Sequence, residues 1–322
     1  MAEASLPLNR LQHFPVMFFA VIMGLSGLAI TYQKAHEVLN IWAWIGDGLA
    51  YLSGAVFIVL LMIYMLKLIR YTPQVMSEFR HPVRVNFFAA ISISMLLLAV
   101  AFQHLAPELA KGLWYAGCAL HLYFTLYIVS FWINHNFEIQ HSSPAWFIPI
   151  VGNVIVPVAG VEYAPHGVSV FFFAIGMFFW VVLFTLVFNR IIFHHQMPAK
   201  FMPTLFIFIA PPAVAFIAYY KLTGQYDLTA QLLYSLALFF TLLIAFMYRN
   251  FLGLKFFISW WAFTFPMAAM SIATLLSYQL SGQSALLYLS YTMLITTTLI
   301  IALVALRTIE YIWKGEICIA EP

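Results

Sequence analysis

From Val170 to Phe188 the chain reads VFFFAIGMFFWVVLFTLVF, without one charged residue. A run of that kind is about as long as the ~20 apolar residues needed to cross a bilayer as an α-helix. It shows no apolar–polar alternation, so it is not a strand of a membrane barrel, whose lumen face would be polar. Comparable runs recur along the whole sequence. With 64% hydrophobic and only 8% charged residues, against about 25% charged in an ordinary soluble chain, the molecule could not cover its own surface with solvated groups. Lipid has to be part of its solvent. In lipid, backbone polar groups must be paired within the chain, which leaves helices as the solution here.

Runs bounded by charges or turn residues define ten segments, at approximately 14–32, 43–68, 84–105, 113–135, 145–162, 168–193, 203–221, 228–248, 256–278 and 284–312. The loops are short, so consecutive helices should be antiparallel neighbours, giving five helical hairpins. The domain organisation expected is a cytoplasmic segment 1–12, one transmembrane domain 13–313 and a cytoplasmic tail 314–322. Residues 1–9 are set aside from fold reasoning. The first apolar stretch runs into polar TYQKAHE without a small-residue cleavage pattern, unlike a removable signal.

Orientation follows from the Lys/Arg bias. With ten spans, one side carries Arg10, Lys67, Arg70, Arg80, Arg84, Arg190, Lys200, Arg249, Lys255, Arg307 and Lys314; the other carries Lys34, Lys111 and Lys221. The rich side is read as cytoplasmic, with both termini on it. A missed or invented span would scramble this alternation, so the bias also supports the count.

Proline adds a second regularity. Pro15, Pro82, Pro149, Pro157, Pro203, Pro211, Pro212 and Pro266 all fall in or at the start of odd segments, and the even segments contain none. A proline inside a helix frees backbone groups, which in lipid must be satisfied by protein or by water in a cavity. Odd helices are therefore expected inside and even helices outside. Small residues agree. Ala20, Gly24, Gly27 and Thr31 make one small face on the first segment; Asn86, Ala90 and Ser94 make one on the third; Pro149, Gly152, Val156 and Gly160 make one on the fifth. Such stripes either let helices pack closely or line a central pore. Pro211, Pro266 and Ala269 complete the expected lining.

Titratable groups are scarce at depth. Asp47 stands near the start of the second segment and reads as a first-turn carboxylate favoured by the helix dipole. His121 reads as a packed, hydrogen-bonded histidine rather than a proton relay, and His104 and Glu310 sit at segment ends. Arg84, at the start of the third segment, either attracts anions at a pore mouth or anchors the cytoplasmic side. His135, Glu138 and His141, and the pair His194 and His195, lie in loops without a cysteine and make a weak metal signal. Cys118 and Cys318 are far apart and read as free thiols. There is no phosphate-binding glycine loop and no dinucleotide fingerprint. No catalytic residue, metal, cofactor or nucleic-acid partner is expected. What remains is a pathway of small, hydroxyl and aromatic groups, and a ring can close such a pathway by occlusion or dewetting. The leading candidate is Phe265, immediately before Pro266 in SWWAFTFPMAAMS, where the following proline biases the backbone away from the helical region.

At these residues a resemblance appears. HPVRVNFF (His81 to Phe88), PAWFIPIVGNVIVPVAG (Pro144 to Gly160), PTLFIFIAPPAVA (Pro203 to Ala215) and WWAFTFPM (Trp260 to Met267) resemble the TehA-like tellurite-resistance and dicarboxylate-transporter family. That family includes the slow-type anion channels of plant guard cells and fungal malate permeases. The resemblance covers nearly the whole chain in order. It implies a homotrimer in the bacterial inner membrane, each protomer with five hairpins in quasi-fivefold array around its own pore, and it implies that Phe265 plugs that pore. Phosphorylation control through long regulatory tails like those of the plant channels is not expected. The family's opening pattern FPxGxFG is FPVMFFA here, so Met17 and Ala20 replace glycines and would narrow the pore. The expected function is a passive channel for small monovalent anions such as chloride or nitrate. The alternative is a secondary transporter of C4-dicarboxylates such as malate, or of tellurite. A bound dianion would want a deep Arg or Lys, and the spans hold none at depth.

Overall fold

The computed structural model describes residues 10–194 and 196–319. His195, together with residues 1–9 of the N-terminal segment and 320–322 of the tail, lies outside the described residues. Among the described residues, ten apolar helices are long enough to span a membrane: α1 (Val16–Leu39), α2 (Ala43–Arg70), α3 (Arg84–Phe102), α4 (Pro107–Asn134), α5 (Pro144–Tyr163), α6 (His166–Phe193), α7 (Ala199–Thr223), α8 (Leu228–Phe246), α9 (Ile258–Ser281) and α10 (Ser284–Lys314). The protein is an all-helical polytopic membrane protein, as the apolar runs predict.

Two boundaries differ from expectation by six residues or more. Helix α1 runs on through Leu39 because its polar end finds partners: the Gln33 amide donates to the Ala101 carbonyl at 2.9 Å, and Lys34 Nζ donates to Gln279 Oε1 at 2.7 Å. Helix α4 starts at Pro107 rather than near 113, so one even span does carry a proline. It occupies the first helical turn, where its missing N–H is an orphan anyway.

The odd and even helices differ in kind. Each odd span opens with a 3₁₀ stretch: Val16–Phe18, Arg84–Phe88, Pro144–Trp146, Ala199–Phe208 and Ile258–Phe263. Helix α5 holds a second one, Gly152–Ile155. The even spans are continuous α-helix over the same depth. Between 61% and 83% of an odd span's apolar core is buried, against 28% to 39% of an even one. The odd helices close a ring, with α1 packed on α3, α3 on α5, α5 on α7, α7 on α9 and α9 on α1. Each even helix leans outside the ring, on its hairpin partner and on the next odd helix. Their outward faces carry large apolar side chains such as Ile58, Phe178, Phe239 and Leu299, as lipid contact requires. Inner odd helices, outer even helices and the quasi-fivefold array thus agree with the sequence reading.

A short helix, Thr72–Phe79, links α2 to α3. It is pinned by a buried cluster that the sequence did not disclose. Lys67 Nζ reaches Glu78 Oε1 at 2.8 Å and the Phe14 carbonyl at 2.7 Å, and the Tyr64 hydroxyl donates to Glu78 Oε2 at 3.0 Å. Lys67 is therefore more than a charge at a membrane face; it ties α2, the linking helix and the start of α1 together.

Candidate functional site

All five odd helices converge on one axial cavity of about 780 Å³, counting its open mouth. Its wall comes from the opening half of each: Met17, Ala20 and Met23 of α1; Phe87 and Ile93 of α3; Phe147 to Ile155 of α5; Thr204 to Val214 of α7; Ile258 to Pro266 of α9. These five helices therefore start at the same end of the bundle. Their positive dipole ends face the mouth together, a field that favours negative charge. The wall itself is apolar and contains no ionisable side chain.

Phe265 and Pro266 are the last residues of α9 to line the cavity. The Phe265 ring is 8% exposed, and its Cδ2 lies 3.4 Å from where a β-carbon on Gly27 would stand. The distortion expected at Phe265 itself sits one to two residues earlier: Phe265 is already α-helical, and the 3₁₀-to-α junction falls at Phe263 and Thr264. That junction is held from three sides. Thr264 Oγ1 donates to the Trp261 carbonyl at 2.7 Å, Trp261 Nε1 donates to Thr308 Oγ1 of α10 at 2.9 Å, and Ser259 Oγ donates to the Lys200 carbonyl of α7. Pro266 has no N–H, so the Ala262 carbonyl on the cavity wall lacks its helical donor.

Of the residues expected to line a pore, the cavity wall holds Ala20, Gly152, Pro211, Phe265 and Pro266. The others take different places. Gly24 and Gly27 let α1 and α9 touch: a β-carbon on Gly24 would run into the Thr264 side chain, and one on Gly27 would stand 2.9 Å from Ala268 Cβ. Thr31 continues the same contact, Oγ1 donating to the Ala268 carbonyl of α9 at 3.4 Å as well as to the Gly27 carbonyl on its own helix. Ser94 Oγ reaches the Phe19 carbonyl across the α1–α3 contact and the Ala90 carbonyl on its own helix. The Val156 carbonyl accepts from Trp114 Nε1 of α4, and Gly160 makes room for Trp114 and Ser169. Asn86 folds its amide back on the Pro82 and Val83 carbonyls. Ala269 is buried in α9 without reaching the wall. Arg84 is half-buried at the start of α3, outside the cavity wall, with its backbone N–H bonded to His81 Nδ1.

The wall positions that a small-residue search passes over are bulky: Phe87, Ile93, Phe147, Ile155, Val214 and Trp261. The reason is geometric. A 3₁₀ turn holds 3.0 residues instead of 3.6, so in α5 the stretch Gly152–Ile155 turns Val156 and Gly160 away from the face of Gly152. In α1 the 3₁₀ residues precede Ala20, and Gly24 and Gly27 are taken up by the contact with α9. Met17 and Ala20 do point bulk at the cavity.

The buried titratable groups stand off the axis. His121 is fully buried; its Nδ1 pairs with Ser92 Oγ at 2.9 Å, and its Nε2 has no partner and backs onto Gly152. Asp47 is not buried: at the start of α2 it accepts from the exposed His104 Nε2 at 3.0 Å.

The profile of a family described as voltage-dependent anion channels matches residues 13–309. The chain belongs to that family. Its members' likeness extends to curated proteins. The S-type anion channel SLAH3 of Arabidopsis thaliana is 32% identical over 82% of this chain and 43% of its own length. An uncharacterized transporter of Methanocaldococcus jannaschii is 26% identical over 96% of this chain and 98% of its own. A tellurite resistance protein TehA homolog of Haemophilus influenzae is 27% identical over 94% of this chain and 92% of its own. The chain thus spans less than half the length of SLAH3, and nearly all of these two microbial proteins. The voltage-dependent anion channel family and the ten-span architecture agree with the resemblance read from the four sequence motifs.

Proposed function

We propose that the protein is a passive channel for small monovalent anions such as chloride or nitrate, with a pathway along the axis of α1, α3, α5, α7 and α9. The observation that carries this reading is the axial cavity: five parallel helix starts around an uncharged, apolar wall that ends at Phe265. The convergent dipoles draw anions to the mouth, and the wall offers no fixed cation to hold them there. The Phe265 ring closes the resting pathway. Met17 and Ala20 narrow it further. Support for anion passage also comes from relatives named as S-type anion channels.

The same protein assembles as a homotrimer in the bacterial inner membrane, each protomer conducting by itself, with both termini cytoplasmic. The expanse of exposed apolar side chains on the even helices supplies surface for lipid and for neighbouring protomers. Coupled transport of C4-dicarboxylate or tellurite fits less well, because a dianion in this wall would find no Arg or Lys.

Current recording from reconstituted protein in asymmetric chloride tests the proposal. The reversal potential should lie close to the chloride Nernst value, and flux into liposomes should follow membrane potential with no pH gradient imposed. Flux that requires a proton gradient and stops when it collapses would reject a passive channel.

A further inference from the structure

Away from the axis, a second pocket opens between the ends of α3, α5, α6 and α7. It is lined by Val83, Gln140, His141, Ser143, Arg190, and Gln196 to Pro198 with Phe201. Arg190 belongs to the last turn of α6 and is only 5% exposed. Among the described residues no carboxylate pairs with it, and its Nη1 is buried without a hydrogen-bond partner. Two further polar atoms of the lining are buried and unpartnered: Ser143 Oγ, on a residue 6% exposed, and His141 Nδ1. No Asp or Glu lines the pocket.

A guanidinium nitrogen buried without a partner is a costly arrangement, because that N–H group has lost water and found no acceptor among the described residues. Side chains that have no partner inside the protein and meet in one pocket indicate a partner from outside. The set is rich in donors: a guanidinium fork, a hydroxyl, an imidazole and the amides of Gln140 and Gln196. Such a set suits a ligand with several acceptor oxygens and negative charge, and guanidinium pairs with phosphoryl oxygens in bidentate fashion. We infer that this pocket binds a phosphoryl oxyanion, either free phosphate or the phosphate headgroup of an anionic lipid. The ligand would bridge three inner helices, α3, α5 and α7, to the outer helix α6, and so would fix the mouth of the ring. The site does not depend on the conduction pathway, since the two pockets share no residue.

Thermal unfolding of the purified full chain in a neutral detergent, with chloride used to hold ionic strength constant, tests this. Inorganic phosphate, short-chain phosphatidic acid and the matching diacylglycerol are titrated in turn. Wild type should gain thermal stability from phosphate or from phosphatidic acid, and not from diacylglycerol. Arg190→Gln should weaken the apparent affinity by roughly tenfold or more, the loss expected for a charge-assisted hydrogen bond. Ser143→Ala should weaken it by about threefold, and it carries the comparison if Arg190→Gln does not fold. A response to phosphatidic acid alone assigns the site to a lipid headgroup; a response to free phosphate assigns it to a soluble ligand. No response from wild type to either, or equal responses from wild type and both variants, overturns the inference. Phe265→Ala should respond as wild type does, which keeps this result separate from the fate of the channel reading.

Discussion

A phenylalanine ring packed in a core and one that closes a lumen differ in what they lose on truncation. Removing a core ring typically costs about 3–5 kcal/mol, because neighbours on every side lose contact. Phe265 stands at the end of the axial cavity, with open space on one side and the close α1–α9 contact at Gly27 on the other. Phe265→Ala is therefore expected to raise anion conductance strongly while lowering stability by less than that core range. Paired recordings and melting curves on purified protein check both halves. Phe178, 66% exposed on the outer face of α6, is the control: Phe178→Ala should leave conductance at the wild-type level. A Phe265→Ala protein that melts early and conducts no better would show that the ring is ordinary packing.

The helices that frame this ring depend on joints that lie outside the apolar pattern. The Lys67–Glu78 pair is buried, with Lys67 fully enclosed and Glu78 6% exposed. Removing one member of a buried pair leaves the other charge uncompensated, at a cost of about 3–5 kcal/mol. Lys67→Met should destabilise the protein by that order, and Lys67→Met combined with Glu78→Gln should recover part of the loss. Gln still accepts from the Tyr64 hydroxyl, so the remaining deficit would report the Phe14 carbonyl left without its donor. Equal stability of the wild type and Lys67→Met in a melting series would mean that the pair contributes nothing to docking the linking helix.

For the whole molecule, the ends of the bundle are the quantity to test. Lys34 sits where α1 and α9 finish, bonded to Gln279, whereas Lys200 sits where α7 and α9 start, its carbonyl bonded to Ser259. Cysteines at these two positions should be labelled from opposite sides of the membrane by an impermeant maleimide, Lys200→Cys from the cytoplasm. Labelling of both from one side would break the ten-span arrangement, and exchange of the two sides would reverse the proposed orientation.

The number of spans and their alternation of inner and outer were legible in the sequence because each is a property of the chain read in one dimension. A span is an apolar run of bilayer length, and prolines accumulate where freed backbone groups can be satisfied. The wall of the cavity was not legible in that way. In α5 the 3₁₀ stretch Gly152–Ile155 turns Val156 and Gly160 off the α-helical period of Gly152, and in α1 Gly24 and Gly27 serve the contact with α9, while Phe87, Phe147 and Ile93 line the cavity. Nor could spacing reveal that Lys67 would meet Glu78, or that Arg190 would be enclosed beside Ser143 and His141 with no carboxylate partner among the described residues. Those outcomes depend on which loop ends and helix termini are brought together in space, and only the packed ring of helices decides that.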